Sequence, residues 1–356
     1  MADKQSESAN RPASVDISSR PVEAGGPACE GGRAAPLEFR ASQVSHDHDD
    51  PIFVCGAARS GTTVFGLMLR GHADLAHSGE MNFLFERPVG RGDAHALEAF
   101  RRSLRGDRIF RSTGFEIDDA LDHQGLIRSF VDRARRDGRR LVITLHRNFQ
   151  PIPELFPNAR YIHLVRDPRD VARSTVEMGW SGNPYHGVGH WIATEKDFEG
   201  LAEQVEGERI LTLLYRSLML EPARELSRVC AFIGVDYDPA MLDYPSRSTY
   251  TPPDPELVEQ WRRKLTPREI GFVEGRAQDL MTARGFLPSG HPPVTPGRFG
   301  EFALKLHNRA GRIRFSIRRY GFVWTFLEIA GRRAGLAWLA AFAQRKIDDR
   351  VVRYLK

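Results

Sequence analysis

The sequence predicts an α/β protein, with a parallel sheet covered by helices on both faces and a basic helical extension behind it. Three observations lead to this fold class. From residue 51 onward, apolar strand-like runs alternate with helix-like segments, which is typical of βαβ units and parallel sheets. A loop that contains two glycines follows the first of these strands. Positive charge is concentrated at the C-terminus, where residues 298–356 carry 14 lysines and arginines against four acidic residues.

Each predicted element has a local signal. Strands are short apolar runs, predicted at residues 51–56, 139–145, 159–165 and 207–215. Helices have apolar residues at helical spacing and are predicted at residues 62–72, 125–138, 167–178 and 221–234. Gly138 and Gly234 are placed to end two helices, and Pro222 lies in the first turn of the last one.

The chain divides into three predicted regions. Residues 1–48 are rich in Ser, Gly and Pro and lack a hydrophobic period, so we expect a disordered tail. Residues 49–290 form the α/β domain, and residues 291–356 form the basic extension.

The sequence shows neither the apolar core of a secretory signal nor an 18-residue apolar span. The three cysteines lack metal-type spacing and are typical of reduced thiols, which predicts a cytoplasmic protein. We interpret the HDHDD run at residues 46–50 as solvated charge rather than a metal site.

The loop after the first strand is typical of phosphate binding but departs from the nucleoside triphosphatase pattern. Gly56 and Gly61 have the spacing of G-x-x-x-x-G-K-[ST], yet Thr62 occupies the position of the lysine. The only cation in the loop is Arg59. Backbone N–H groups and hydroxyls at the start of a helix form an anion site. The sequence therefore predicts a P-loop-like site for a nucleotide's 5′-phosphate without a metal.

A second phosphate site is predicted beside the first. Arg166 ends the strand YIHLV, and Ser174 lies two turns into the following helix. A guanidinium and a hydroxyl can hold a phosphate together. Both segments follow strand ends, where parallel sheets bind ligands. Two separate sites favour a nucleotide with phosphates at its 5′ and 3′ ends over ATP. A metal-dependent kinase and an inactive nucleotide-binding protein stay as alternatives.

These motifs resemble those of sulfotransferases that use 3′-phosphoadenosine 5′-phosphosulfate (PAPS). ARSGTT resembles the 5′-phosphosulfate loop, LVRDPRDVARS the 3′-phosphate motif, and LTLLYRSLMLEPARELSRVCAFIGV the third landmark, in family order across residues 51–236. The R-S-G-T-T variant is closest to the bacterial and tyrosylprotein-type branch. The resemblance implies metal-independent, in-line transfer of a sulfuryl group to a hydroxyl on a carbohydrate, lipid-linked or small-metabolite acceptor. It implies donor-binding roles for Arg59, Ser60, Gly61, Thr62, Thr63, Arg166, Ser174, Tyr215 and Ser248.

Two residues compete as the base that takes the proton of the acceptor hydroxyl. Glu80 matches the base of the tyrosylprotein-type branch, and His146 matches that of the cytosolic branch. Glu80 is favoured because the other landmarks belong to its branch, although a carboxylate at a helix start would look the same. Arg59 is predicted to balance the negative charge that develops on the bridging oxygen of the donor as it leaves. Two departures from the family stand out: Thr144 replaces a lysine, for which Arg147 is one substitute, and Arg216 replaces a glutamate.

The basic extension allows several interpretations. Its helical periodicity places aromatic residues on one side and arginines elsewhere. One interpretation is binding to an anionic membrane, peripherally at the inner surface; the other is packing on the domain or homodimer formation. Nucleic acid is disfavoured because no base-reading or stacking module accompanies the charge. The walls of the pocket that binds the acceptor are expected to come from residues 81–125 and 178–200. The stretch MGWSGNPYHGVGHWI is interpreted as a loop that faces a sugar or lipid, or as a plain surface loop.

Overall fold

The computed structural model describes residues 50–354 except 88, 91 and 137. The predicted N-terminal tail and most of the HDHDD run lie outside the described residues. The described chain contains five strands in one sheet: β1 (Ile52–Cys55), β2 (Leu75–Glu80), β3 (Arg140–Leu145), β4 (Arg160–Val165) and β5 (Ile210–Leu214). Their order is β2-β3-β1-β4-β5, and every neighbouring pair is parallel. The predicted fold class is confirmed.

Fourteen α-helices surround or follow this sheet in the described chain. They are α1 (Thr62–Leu69), α2 (Ala94–Gly106), α3 (Arg108–Thr113), α4 (His123–Ala134), α5 (Ile152–Leu155), α6 (Pro168–Glu177), α7 (Pro184–Ala202), α8 (Tyr215–Leu220), α9 (Pro222–Ile233), α10 (Trp261–Lys264), α11 (Pro267–Ala283), α12 (Arg298–Tyr320), α13 (Phe322–Arg333) and α14 (Ala337–Tyr354).

The central strand β1 shows why helices cover both faces of the sheet. All four of its residues are buried. Phe53 and Cys55 belong to a core with α2, α3, α4 and α5, whereas Ile52 and Val54 belong to a core with α1, α8 and α9. Successive residues of a strand point to opposite faces, so a strand that is apolar throughout requires a hydrophobic layer on each side.

Two elements differ from the sequence-based prediction. The stretch at residues 178–192 is a loop only up to Asn183, because α7 begins at Pro184. The side chain of Asn183 accepts a hydrogen bond from the backbone N–H of His186 and caps this helix. The second difference is β2, a strand that the sequence analysis missed. Glu80 ends this strand, so the alternative that made Glu80 a helix-start carboxylate is wrong.

The basic extension consists of three helices in the described chain. Helix α12 contacts α7 and α13, and α13 packs mainly against α14. Residues between the domain and α12 also pack on the domain, since the backbone N–H of Val294 donates to the carbonyl of Gly271 in α11. No helix among the described residues is long and apolar enough to span a bilayer.

Candidate active site

The carboxyl ends of the strands meet at one cavity of about 510 Å³. Parallel strands end at the same edge of a sheet, so side chains that follow different strands converge there. Glu80 comes from the end of β2, His146 follows β3, Arg166 follows β4 and Tyr215 follows β5. The residues that line the cavity are Ala58, Arg59, Gly61, Thr62, Thr63, Val64, Glu80, Asn82, His146, Arg147, Arg166, Trp180, His190, Tyr215, Met219, Tyr244, Tyr250, Thr251, Pro252 and Leu257.

The loop between β1 and α1 is held in an unusual backbone conformation. Arg59 has a φ of 77° and Gly61 a φ of 92°, and a left-handed conformation costs energy for a non-glycine residue such as arginine. A Cβ atom at Gly61 would lie 2.4 Å from two ring atoms of Tyr215. The loop therefore passes close to the tyrosine ring, and only glycine fits at that point.

Polar groups at the start of α1 are left without protein partners. No side chain caps the helix at Gly61, and no acidic residue lies in its first turn. The Ser60 hydroxyl is fully buried and makes no hydrogen bond with the described residues. Buried polar groups normally have partners, and free N–H groups at a helix start attract anions. This corner of the cavity is built to receive an anion.

Arg59 and Arg166 bring two positive charges to the same corner. The Arg59 Nε donates to the Ser174 hydroxyl at 3.0 Å, and an Arg166 Nη donates to the Arg59 carbonyl at 3.1 Å. Burial, and then repulsion by Arg166, lowers the pKa of Arg59, but arginine stays charged at neutral pH. Neither guanidinium forms an ion pair with a carboxylate anywhere in the described chain. Such a cluster is stable only with an anionic counterpart.

Arg166 is fixed by contacts on three sides. Besides its bond to Arg59, it donates to the carbonyl of Leu257 at 3.1 Å. Its guanidinium carbon lies 4.3 Å from the centre of the Tyr215 ring, a cation–π arrangement. Its Nε is buried and has no partner among the described residues. The residue is rigidly placed yet keeps an unused donor.

Glu80 and His146 form a hydrogen-bonded pair rather than two independent groups. The His146 Nε2 lies 3.1 Å from the Glu80 Oε1, and the His146 Nδ1 lies 2.7 Å from the carbonyl oxygen of Gly56. A carbonyl only accepts hydrogen bonds, so Nδ1 carries a proton. The hydrogen bond from His146 lowers the pKa of Glu80 although burial opposes this, so the carboxylate is held in its ionised form.

Trp180 and His190 also line the cavity. They lie edge to face with ring centres 6.3 Å apart. Burial, and then the charge of Arg312, lowers the pKa of His190. Arg147, another lining residue, is ion-paired with Glu86. Sequence reasoning placed acceptor walls at residues 81–125 and 178–200; Asn82, Trp180 and His190 fall in these ranges, but the lining includes nothing from residues 83–125.

Several predicted residues lie off the lining. The Thr144 hydroxyl contacts the His77 ring at 2.9 Å and is buried. Ser60 and Ser174 lie behind the lining residues. Ser248 donates to the carbonyl of Tyr244 at 2.9 Å, whereas the lining includes Tyr244, Tyr250, Thr251 and Pro252 around it. The sequence analysis did not identify residues 244–252 as part of the site, apart from Ser248, because the turns in this segment carry no motif.

Asp167 follows the end of β4 and is engaged outside the cavity. Its two oxygens accept from Arg169 at 2.9 and 2.7 Å. Its Oδ1 also caps α6. Arg216, the other departure from the family pattern, lies 3.8 Å from a carboxylate oxygen of Glu259. Neither side chain is among those that line the cavity.

Comparisons with known proteins agree with this geometry. A family model described as the sulfotransferase family matches residues 51–239. Protein-tyrosine sulfotransferase A of Caenorhabditis elegans is 26% identical over 266 residues, which cover 68% of each protein. Protein-tyrosine sulfotransferase 2 of Gallus gallus is 24% identical over 268 residues, covering 68% of this chain and 71% of that protein. Among solved structures, the sulfotransferase domain of the Synechococcus PCC 7002 olefin synthase is 23% identical with a TM-score of 0.47, covering 65% of this chain and 96% of that chain.

Proposed function

The chain belongs to the sulfotransferase family, as its motifs predicted, and from this premise we propose that it transfers a sulfuryl group from PAPS to an acceptor hydroxyl. One observation carries the choice of donor. Arg59 and Arg166 lie together at the helix start with no carboxylate partner in the described chain. A nucleotide with phosphates at both ends supplies the negative charges that this pair requires.

The residues at the loop fit such a donor. We assign the 5′-phosphosulfate to Arg59, Ser60, Gly61, Thr62 and Thr63, where the uncapped helix start and the unpartnered Ser60 hydroxyl supply donors.

We assign the 3′-phosphate to Arg166 and Ser174. The Ser174 hydroxyl accepts from Arg59, so its own proton is available for a phosphate oxygen. Tyr215 lies beside Gly61 and Arg166 and would contact the nucleotide, with Ser248 a more distant contact through its loop.

The proposed chemistry uses positive side chains in place of a metal. The acceptor oxygen bonds to sulfur while the bond from sulfur to the bridging phosphate oxygen breaks, and its electron pair stays on that oxygen. Arg59 would stabilise this developing charge, as preorganised cations do in transferase sites. Asp167 is bound to Arg169 and is not among the lining residues, so we assign it no role in donor binding.

We propose that Glu80 is the base and that His146 positions it. With Nδ1 bound to the Gly56 carbonyl and Nε2 to Glu80, the histidine has no lone pair directed at the cavity. The second carboxylate oxygen of Glu80 is left to accept the acceptor proton. The hydrogen bond from His146 lowers the pKa of Glu80 and so holds the carboxylate in its ionised form, which a base requires.

We propose that the acceptor binds near Trp180 and His190, which also line the cavity. Aromatic rings suit the faces of sugars and phenols, so we propose a carbohydrate, lipid-linked or small-metabolite hydroxyl. The relatives named protein-tyrosine sulfotransferases make a tyrosyl peptide the first comparison in an acceptor screen with sulfur-labelled donor. Cys55 and Cys230 are buried free thiols, and the cytoplasmic location stays a prediction.

Calorimetry without added metal tests the donor. We expect 3′,5′-bisphosphoadenosine to bind far more tightly than AMP or ATP. Arg166→Ala should weaken bisphosphate binding by about tenfold to hundredfold, because a hydrogen bond to a charged group typically contributes this much to affinity. The same substitution should change AMP binding little. Arg216→Ala, which alters an arginine outside the lining, is the matched control. Equal wild-type affinity for AMP and the bisphosphate would contradict the second phosphate site.

A further inference from the structure

Helix α12 has an inner face that holds the acceptor side of the domain. The Asn308 side chain accepts from the backbone N–H of Gly182 at 2.6 Å, and the carbonyl of Leu304 accepts from the Asn183 side chain at 3.0 Å. The Phe315 ring lies against Gly179, where an added Cβ would be only 2.1 Å away. These residues are spaced by four, seven and eleven positions, as one face of a helix requires.

The outer face of the same helix carries a stripe of apolar residues. An α-helix turns by about 100° per residue, which places Phe299, Phe302, Leu306, Ile313 and Ile317 opposite the inner face. The first three are 93%, 69% and 60% exposed, whereas Ile317 is 37% exposed and Ile313 is half-buried. An apolar stripe of this length on a well-packed helix is unusual for a surface that contacts only water. We call these five residues the outer stripe.

Basic residues flank the outer stripe. Helix α12 contains seven lysines and arginines and one glutamate. By the same helical geometry, Arg298, Lys305, Arg309 and Arg312 lie on one flank, with Arg309 next to Phe302, and Arg314 and Arg318 lie on the other. Amphipathic helices that lie in a membrane interface have this pattern, with an apolar face between cationic flanks.

The two following helices also carry exposed aromatic residues. Phe322 and Phe326 in α13 are stacked on each other and exposed. Trp338 in α14 is 68% exposed. No described helix is suited to span a bilayer, so these residues would lie on a membrane rather than across it.

We propose that α12, together with α13 and α14, binds the surface of an anionic lipid membrane. The outer stripe enters the boundary between headgroups and acyl chains, and the flanking arginines and lysines bind the lipid phosphates. A second copy of the chain fits this surface poorly. A symmetric dimer would place the same patch on both partners, which would set cationic flanks against each other.

Given the proposed function, the position of α12 also bears on where the acceptor binds. The inner face of α12 contacts the loop of residues 179–183, and Trp180 of that loop lines the cavity. The acceptor side of the cavity therefore adjoins the lipid-binding helix.

Vesicle flotation tests the proposal with the full chain. We expect binding to vesicles that contain phosphatidylglycerol, little binding to phosphatidylcholine alone, and weaker binding at high salt, because screening reduces the attraction of the basic flanks. Phe302→Gln with Leu306→Gln keeps the charge and removes two apolar side chains from the outer stripe. This variant should bind at least about tenfold more weakly, given the apolar area it loses.

Leu220→Gln with Leu287→Gln is the matched control, since both leucines are exposed and lie outside α12, α13 and α14. It should bind vesicles within about twofold of wild type, because exposed substitutions change little. Binding of 3′,5′-bisphosphoadenosine to every variant shows separately whether the fold and the proposed donor site are intact. The proposal is overturned if the wild-type chain does not bind anionic vesicles. Equal flotation of both variants overturns it too, as does a wild-type dimer that the stripe variant converts to a monomer.

Discussion

His146 has both ring nitrogens engaged, and this decides how the two candidate bases are related. Sequence reasoning treated Glu80 and His146 as rivals, each matching a different branch of the family. The structure joins them at 3.1 Å and directs the other histidine nitrogen to the Gly56 carbonyl. We therefore assign them different roles in one proposed mechanism: Glu80 accepts the proton, and His146 keeps the carboxylate oriented and ionised.

Replacing each partner should separate these roles. Glu80→Gln keeps the size of the side chain but cannot accept a proton, so we expect turnover to fall by about a hundredfold or more. His146→Gln leaves the Glu80 carboxylate in place and removes the hydrogen bond that keeps it oriented and ionised, so it should cost less. Turnover measured with an acceptor from the labelled-donor screen checks this, and bisphosphate calorimetry controls for donor binding. If His146→Gln were the more damaging change, the histidine would be the base.

The pH profile gives an independent test of the same assignment. The pKa of Glu80 lies below its ordinary value of 4.5, so the group stays deprotonated as the pH falls to 4.5 and below. A Glu80 base should therefore hold its activity through pH 6, within the range where the protein stays folded. A loss centred near about 6.5, the ordinary value for histidine, would contradict it.

At the scale of elements, the junction between the loop and α1 depends on one close contact. Gly61 has a left-handed backbone and faces the Tyr215 ring, which itself lies under Arg166. The strand end of β5 thus fixes the path of the loop that follows β1. A side chain at position 61 must move either the ring or the loop, and the proposed donor site includes both.

Gly61→Ala should disturb this junction. We expect bisphosphate binding to weaken by about tenfold or more and the free energy of unfolding to fall by about 1 kcal/mol or more, since alanine is strained at positive φ. Calorimetry and urea unfolding measure the two effects. Gly207→Ala is the control, because an added Cβ there would meet nothing within 4 Å. Similar effects at both positions would show that the Tyr215 contact is unimportant.

At the scale of the whole molecule, a buried ion network joins helices that are distant in sequence. Arg169 of α6 is bound to Asp167 and to Glu274 of α11, each at 2.7 Å. Its guanidinium also lies 3.8 Å from the ring of Trp261 in α10. The hydrogen bonds and charges of the two carboxylates raise the pKa of Arg169 although burial opposes this. The network holds α10 and α11 against the helix that follows Arg166.

Glu274→Ala should therefore destabilise the protein strongly. Removing Glu274 leaves the buried positive charge of Arg169 with one carboxylate partner fewer. Loss of a partner from a buried ion pair typically lowers the free energy of unfolding by about 3 to 5 kcal/mol. Glu256→Ala removes an exposed partner of Arg263, at 3.7 Å, and should cost under about 1 kcal/mol. Urea unfolding of both variants gives the comparison. Equal losses would mean that the buried network contributes no more than a surface ion pair.

The sequence by itself determined the elements whose signals are local. The apolar runs of β1, β3, β4 and β5, the helix limits at Pro222 and Gly234, and the glycine loop before α1 all follow from neighbouring residues. Arg166 and His146 were placed at strand ends for the same reason. Parallel strands share an edge, so the order of strands and helices was enough to predict that these groups converge.

Only the tertiary structure decided which groups touch. Strand β2 was missed because LAHSGE mixes polar and apolar residues at the edge of the sheet, and its pairing with β3 is what brings Glu80 to His146. The helix α7, the lining residues Trp180 and Leu257, and the outer stripe of α12 depend likewise on packing between segments far apart in the chain. Local patterns encode an element and its amphipathic faces, but the partner of each face is set by the packing of the whole fold.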